Sequence, residues 1–441
     1  MIGKLTTYIA NNAGFTRYLK NTSWLMAEKI LRLLIALSVG VWVTRYLGPE
    51  QFGVLSYAQS FVGIFAALSS LGLNDIIIRE LVKSQDQKDV ILGSSFGLQT
   101  LGSTIIMLIL TISIFLNDND ALTNKIIIIL GLLTFVNSFT VISSYFHSLV
   151  QSKYFAVTGL VGVFISALLK IYFILGGYSL IFFVYVLAFD VIFLTAGLIW
   201  FYTKSGQSLL AWRFSWKMAM SLLKDAWPLI LSGIIVSIYM KIDQVMIKEF
   251  MGNSSVGQYS AAVRLSEAWY FIPTIICSSL FPAIINAKIK SEELYMSRLQ
   301  KLYNLMVVLG AVVILPVLLL SDWMIGILYG EAFSQSAGVL DIHILGSVFV
   351  FLGVANQKWF ISENFQAYNI ICLGFGMVVN VILNIVLIPA LGIMGAAYAT
   401  LISQFVASVL APVFFKKTRG SFFMMLRALF FVQIFKDRKI V

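Results

Sequence analysis

Ten charged side chains lie inside apolar stretches long enough to cross a membrane, and these residues are the best placed to bind or move charge. They are Glu28, Lys29, Arg32, Lys170, Asp190, Lys241, Asp243, Arg264, Glu267 and Lys358. A charge near the bilayer centre costs about 2.5–3.5 kcal/mol, so it normally faces a cavity or a partner of opposite sign. Six of the ten are cations. A cavity with that excess attracts a phosphate or an acidic sugar and repels a cationic drug.

Helical spacing predicts several charge pairs. Glu28 and Arg32 are four residues apart, and Arg264 and Glu267 are three apart, so each pair shares a helical face. Asp243 lies at a depth similar to that of Arg264 in the neighbouring span, which predicts a contact between those two.

The remaining cations are sorted by depth and reach. The long stem of Lys170 extends toward the level of Asp190, whereas Lys241 is rotated by about 200° from its near neighbour Asp243. Two roles stay open for these charges, namely fixing helix packing and transport. For transport, the predicted substrate-binding residues are Arg32, Lys170, Lys241 and Arg264. The residues predicted to couple an ion or to pair charges are Glu28, Asp190, Asp243 and Glu267.

Several kinds of chemistry are disfavoured by the composition. The two cysteines, Cys277 and Cys372, lie in apolar runs far from any second ligand, and the only histidines are His147 and His343. This pattern predicts no metal site, no cofactor and no disulfide framework. No hydrolase, zinc-protease, Walker or dinucleotide motif occurs. We therefore expect a protein that is not an enzyme.

The elements that carry these charges are predicted membrane helices. The sequence is 59% hydrophobic and 12% charged, whereas soluble domains are about 25% charged. Apolar runs predict about twelve spans, and the all-α polytopic fold follows. The predicted spans are 22–46, 54–78, 90–116, 124–150, 154–175, 178–202, 226–249, 256–286, 302–320, 336–360, 369–388 and 392–415.

The Lys and Arg residues other than the six cations named above set the predicted orientation. With the N-terminus inside, 22 of them fall in inner segments and three in outer ones. The bias places both termini in the cytoplasm and accounts for the net charge of +11 without a nucleic-acid partner. We read the apolar segment 421–435 as an interfacial helix.

Two hairpins repeat at an offset of 204 residues. Gly48, Gly53, Ser56 and Ala58 match Gly252, Gly257, Ser260 and Ala262. Glycine suits the unusual backbone angles of a tight turn. The match predicts a duplicated six-helix half, although chance glycine turns are the alternative. The predicted divisions are an N-terminal bundle at 1–203, a cytoplasmic linker at 204–225, a C-terminal bundle at 226–416 and a basic cytoplasmic or interfacial tail at 417–441.

The same residues resemble a known family. The segments Tyr46–Gly53, Leu71–Glu80 and Asp243–Ile247, together with Val256–Arg264 and Phe281–Pro282, resemble motifs of the bacterial polysaccharide-biosynthesis, or O-antigen, flippases. Their superfamily also holds multidrug exporters. The resemblance implies a V-shaped fold of two six-helix bundles, alternating access, and a helix that ends at Pro282. It also implies a location in the bacterial inner membrane.

The resemblance further implies the cargo and the partners. The cargo would be an oligosaccharide on undecaprenyl pyrophosphate, and membrane lipids, a polysaccharide polymerase and a chain-length regulator would be partners. A drug or cation exporter of the same fold is one alternative, but its cavity should be acidic. A membrane polymerase or ligase is another, but no outer loop here exceeds about fifteen residues, which is too short to present catalytic groups.

Overall fold

The computed structural model describes residues 13–430, and it describes side chains from residue 31 onward except those at 33, 36 and 66. Glu28 and Lys29 therefore lie outside the described side chains, as do the two ends of the chain. Within this range the structure is helical and contains no strand.

Seventeen α-helices form the described chain. They are α1 Ala13–Ile64, α2 Ala66–Ser70, α3 Asn74–Lys83, α4 Lys88–Leu116, α5 Ala121–Asn137, α6 Val141–Ser148, α7 Lys153–Leu175, α8 Leu180–Lys204, α9 Trp216–Met251, α10 Asn253–Glu267, α11 Phe271–Lys290, α12 Glu292–Leu328, α13 Gln335–Leu345, α14 Ser347–Ser362, α15 Gln366–Leu391, α16 Ile393–Phe405 and α17 Arg419–Leu429.

Eleven helical segments of the described chain are long and apolar enough to cross a membrane. The first of them, Leu37–Lys83, contains a break at Gly48, whose φ of 68° and ψ of 173° are not helical. Pro49 follows the break at a position where a helix tolerates its missing N–H. This break separates two helices within the segment, which the sequence predicts as the two spans 22–46 and 54–78.

Two sequence expectations about helix ends are wrong. Helix α9 begins at Trp216, earlier than the predicted span 226–249, because the helix continues beyond the apolar run. Pro282 lies inside α11 instead of ending it. Membrane helices tolerate such a proline when neighbouring groups satisfy the backbone that it frees.

The chain forms two compact units. The first unit comprises residues up to Leu47 together with Phe61–Ile234, and the second comprises Gly48–Ser60 and the residues from Ile235 onward. Each unit thus takes in a segment from the other half of the sequence. These units do not test whether the two halves of the sequence arose by duplication, so the division into two repeated six-helix bundles stays a prediction.

In the first unit, the segment that joins α8 to α9 is held against α4. This inner loop, residues 205–215, donates the Arg213 N–H to the Asp89 carbonyl at 3.1 Å. The Ser215 N–H donates to Ser94 Oγ at 3.0 Å. A β-carbon added to Gly93 would lie 2.6 Å from the Arg213 nitrogen, so glycine is what permits this approach.

In the second unit, α17 packs against α12. The buried Gln300 donates its Nε2 to the Met424 carbonyl at 2.9 Å. Met425 is buried and Phe423 is exposed, so α17 has apolar side chains on an exposed face as well as on its packed face. Helix α17 begins at Arg419, earlier than predicted, and residues 431–435 of the predicted segment lie outside the described chain.

Candidate functional site

A buried carboxylate, Asp243 of α9, is the centre of a polar cluster in the second unit. Its side chain is 5% exposed. Tyr259 donates its hydroxyl to Oδ2 at 2.8 Å, Thr400 donates to the same oxygen, and Asn384 Nδ2 donates to Oδ1 at 2.6 Å. Three donors from three different helices therefore converge on one carboxylate, which offsets the desolvation of the negative charge.

The cluster depends on two helices whose polar residues recur at helical spacing. Asn380 and Asn384 are one turn apart on α15, and the Asn380 oxygen accepts from Asn384 Nδ2 at 3.1 Å. Ser403 on α16 lies beside Asn380, at 3.4 Å. Glycine at 376 lets α15 pack closely against α16 and the residues that follow it, because an added β-carbon would lie 3.2 Å from the Ser403 carbonyl oxygen and 2.5 Å from the β-carbon of Ala407.

A small pocket with room for about one water molecule adjoins this carboxylate. It is lined by Tyr239, Met240, Asp243, Gln244, Tyr259, Val263, Glu267, His343, Thr400 and Gln404. Buried oxygens of Asn384 and Gln404 accept no hydrogen bond from the described residues. Unused oxygens beside a carboxylate are suited to a proton or a small cation.

A multi-ligand metal site of the zinc type is not present in the described chain. No three His, Cys, Asp or Glu side chains there are grouped to hold a metal ion. His343 instead lies 2.9 Å from Ser266 Oγ and packs edge-on against the ring of Tyr259. The pocket therefore offers carboxylate, amide and hydroxyl oxygens.

The predicted contact between Asp243 and Arg264 is wrong. No ion pair joins these two described side chains, since Asp243 is satisfied by its neutral donors. Tyr259 and Arg264 are five residues apart on α10, so their side chains point about 140° apart. The Arg264 guanidinium lies over the ring of Phe52, 4.9 Å from its centroid.

Glu267 of α10 faces the same pocket as Asp243. Tyr259, Val263 and Glu267 repeat every four residues and line it together. Glu267 interacts electrostatically with Lys241 and Arg264, but no ion pair within 4.0 Å joins it to either. The structure thus brings four of the predicted site residues into one region of the second unit.

A second cluster of predicted residues lies in the first unit. Lys170 Nζ of α7 is 3.7 Å from Asp190 Oδ2 of α8, as the predicted reach of the lysine requires. Ser166 also donates to that oxygen, at 3.1 Å. Arg32 of α1 lies within electrostatic range of Asp190, whose buried Oδ1 accepts no hydrogen bond from the described residues. Glu28 lies outside the described side chains.

Sequence reasoning missed the neutral members of the Asp243 cluster. Asn380, Asn384 and Thr400 are ordinary residue types with no chemical motif. One signal was available, because two asparagines four residues apart inside an apolar span place four amide hydrogen-bonding groups on one face.

The chain is similar to several known proteins. Residues 18–288 match the family described as polysaccharide biosynthesis protein. A Haloferax volcanii protein described as a probable low-salt glycan biosynthesis flippase, Agl15, is 26% identical over 412 residues, covering 87% of this chain and 82% of its own.

Two solved structures share the fold. One is the inward-facing conformation of a multidrug resistance MATE family transporter of the MOP superfamily, with a TM-score of 0.72, 17% identity and coverage of 90% of this chain and 94% of the other. The second is the lipid II flippase MurJ in an inward closed conformation, with a TM-score of 0.66, 15% identity and coverage of 96% and 93%. The predicted all-α, MATE-like fold is confirmed.

Proposed function

Because the chain belongs to the polysaccharide biosynthesis protein family, we propose that it is a flippase that moves a lipid-linked glycan between the leaflets of a membrane. The proposed cargo is an oligosaccharide repeat unit of an O-antigen or a related surface polysaccharide, joined to undecaprenyl pyrophosphate. It passes from the cytoplasmic to the periplasmic leaflet of a bacterial inner membrane by alternating access. The family match over residues 18–288 carries the proposal.

The pocket at Asp243 supports coupling of this movement to an ion. A carboxylate has about four lone-pair positions. Tyr259 and Thr400 donate to Oδ2, Asn384 donates to Oδ1, and Asn380 also interacts with the carboxylate. The carboxylate and the free amide oxygen of Asn384 are proposed to hold a proton or a monovalent cation between them.

The cations inside the spans support an anionic cargo. Lys170 pairs with Asp190, and Lys241 and Arg264 interact with Glu267 at longer range than an ion pair. A pyrophosphate would compete with these carboxylates for the same cations. Arginine favours such an exchange because its planar guanidinium binds two phosphate oxygens at once.

Complementation tests the cargo directly. The full chain is expressed in bacterial strains that lack their own O-antigen flippase, and surface glycan is measured. We expect glycan to return in at least one repeat-unit background. Absence of surface glycan in every background, with the protein abundant in the membrane, contradicts the proposal.

Variants test the assigned residues within a complementing strain. Arg32→Ala is expected to abolish export without lowering membrane abundance. Asp243→Asn is expected to remove the dependence of export on a sodium or proton gradient. Lys125→Ala changes an exposed cation outside the candidate site and is the matched control. Export by Arg32→Ala equal to that of the control removes Arg32 from the site, and an unchanged gradient dependence in Asp243→Asn does the same for Asp243.

A drug exporter is the second candidate, and the fold shared with the MATE transporter favours it. The two functions are distinguished by growth in the presence of cationic drugs. The flippase proposal requires that expression leave drug resistance unchanged, and a several-fold rise in resistance without glycan export favours the exporter.

The proposed orientation places both termini in the cytoplasm. A polymerase and a chain-length regulator would act on the opposite side of the membrane. Fusions to alkaline phosphatase, which is active only outside the cytoplasm, are expected to be inactive at both ends of the chain. Phosphatase activity at either end contradicts the orientation.

A further inference from the structure

The inner loop of the first unit, residues 205–215, and the first turns of α9 carry large apolar side chains outside the predicted spans. Leu210 is 98% exposed, and Phe214 and Trp216 are exposed as well. The rings of Phe214 and Trp216 pack edge to face with their centroids 5.1 Å apart. Met220, one turn further along α9, is also exposed. Contiguous exposed apolar side chains mark an interaction surface.

Contacts with α8 and α4 hold this loop in place. Trp212 donates its indole N–H to the Tyr202 hydroxyl of α8 at 3.0 Å. A β-carbon added to Gly97 of α4 would lie 2.7 Å from the ring of Phe214. These contacts add to the hydrogen bonds that the loop backbone makes with α4. A loop that is already ordered presents its side chains without the entropic cost of fixing a flexible segment.

The contacts with α4 also indicate the depth of the loop in the membrane. The predicted span 90–116 begins beside Asp89, whose carbonyl accepts the Arg213 N–H. Gly97, which touches the Phe214 ring, lies about 10 Å further along the same helix. The loop is therefore at the boundary between the hydrocarbon core and the lipid headgroups. Aromatic and basic side chains are favoured together at this depth.

Cations without matching carboxylates border the apolar side chains. Arg213 and Lys217 are exposed, and neither forms an ion pair with a described carboxylate. Residues 191–224 contain no Asp or Glu, and they also hold Lys204 and Lys224. This local excess of positive charge is complementary to the phosphates of acidic lipids.

We propose that these residues form a binding surface for acidic phospholipids of the leaflet that the loop faces. The residues of this loop surface are Leu210, Arg213, Phe214, Trp216, Lys217 and Met220. The apolar side chains enter the acyl boundary, and the two cations bind lipid phosphates. Because α9 begins at this surface and continues into the second unit, the bound lipids fix the inner end of a helix that both units share. The surface is independent of the cargo.

A dye attached to the loop tests the proposal. Ala211→Cys places a polarity-sensitive fluorophore at an exposed position in the full chain, with Cys277 and Cys372 replaced by alanine. The protein is reconstituted in phosphatidylcholine nanodiscs that contain increasing fractions of anionic phosphatidylglycerol. We expect the emission to shift to the blue and to saturate as that fraction rises. Neutral phosphatidylethanolamine should cause no such shift, and equal shifts with both lipids overturn the proposal.

Charge variants show whether the two cations carry the response. Arg213→Gln and Lys217→Gln should each raise the phosphatidylglycerol fraction at the midpoint of the shift by about fivefold, which is the contribution of one cation near an anionic surface. Lys83→Gln is the matched control, because Lys83 is an exposed cation of the same unit that already pairs with Glu80 at 3.4 Å. Its midpoint should not change. Equal midpoints in all three variants overturn the assignment.

Two further arms identify the occupant of the surface. Leu210→Ser should reduce the blue shift at every phosphatidylglycerol fraction, because it removes an apolar side chain from the acyl boundary. Inorganic phosphate added to phosphatidylcholine nanodiscs should cause no shift, and a shift equal to that with phosphatidylglycerol contradicts a lipid site. A surface that binds a partner protein instead would not respond to phosphatidylglycerol in nanodiscs that hold the purified chain alone, and that result also overturns the proposal.

Discussion

Removing the hydroxyl of Tyr259 tests the central role of the Asp243 carboxylate in the second unit. Tyr259→Phe keeps the buried ring and its edge-on packing against His343. It deletes the donor that lies 2.8 Å from Asp243 Oδ2. Thr400 and Asn384 remain as donors, so the carboxylate loses one of three hydrogen bonds and no other contact of comparable strength.

The expected loss follows from the charge and burial of the two groups. Tyr259 is 1% exposed and Asp243 is 5% exposed, so the hydrogen bond between them is made away from bulk water. A hydrogen bond to a charged group contributes about 1.5–3 kcal/mol. We therefore expect Tyr259→Phe to lower the free energy of unfolding by about 2 kcal/mol.

Reversible unfolding in mixed detergent micelles measures this loss. Tyr398→Phe is the matched control, because Tyr398 of α16 is also in the second unit but is 43% exposed, and it should change stability by less than about 0.5 kcal/mol. If the two variants are equally stable, the carboxylate does not depend on Tyr259 and the account of the cluster is wrong.

Three other perturbations give distinct outcomes. Lys170→Met should lower the free energy of unfolding by about 1 kcal/mol, because the ion pair with Asp190 is only partly buried, and Asp190→Asn in the same chain should reverse part of that loss. Gly93→Ala should release the inner loop, which trypsin digestion would detect as about tenfold faster cleavage after Arg213; an unchanged rate contradicts the close packing. Asp120→Ala should remove about 1 kcal/mol by deleting the cap of α5. Partial burial opposes the charged carboxyl, but hydrogen bonds from Thr123 and from backbone N–H groups outweigh it and lower the pKa of Asp120. Denaturant titration should therefore show the difference between Asp120 and alanine disappearing as the pH falls through that lowered pKa, and a difference that persists in acid contradicts the cap.

Much of the fold was predictable because hydropathy and helix length are local properties of the sequence. The apolar runs gave the spans, and Gly48 marked the break between the first two. The different use of Gly53 was not predictable, since a helical glycine is recognised only when the backbone that touches it is known. The sequence assigned both Gly48 and Gly53 to turns. In the structure, Gly48 adopts a backbone conformation that favours glycine, and Gly53 lets another backbone segment approach closely.

The candidate site was predictable only in its charges. Lys170 and Asp190 could be paired because both lie inside apolar spans and a lysine stem has a known reach. The partners of Asp243 could not be found this way, because hydroxyl and amide donors occur in many spans. Arg264 was misplaced because similar depth in a hairpin says nothing about the direction in which a side chain points.

The inclusion of Gly48–Ser60 in the second unit has a consequence for how the protein is made. Gly53 leaves the ribosome about 200 residues before Gly257, which corresponds to roughly 10–40 s of translation at about 5–20 residues per second. During that interval the hairpin has no native partner, and its buried face must be sheltered by lipid or by the insertion machinery. Assembly of the second unit can therefore finish only late in synthesis, and drugs that slow elongation should lengthen the life of a half-made, protease-sensitive intermediate.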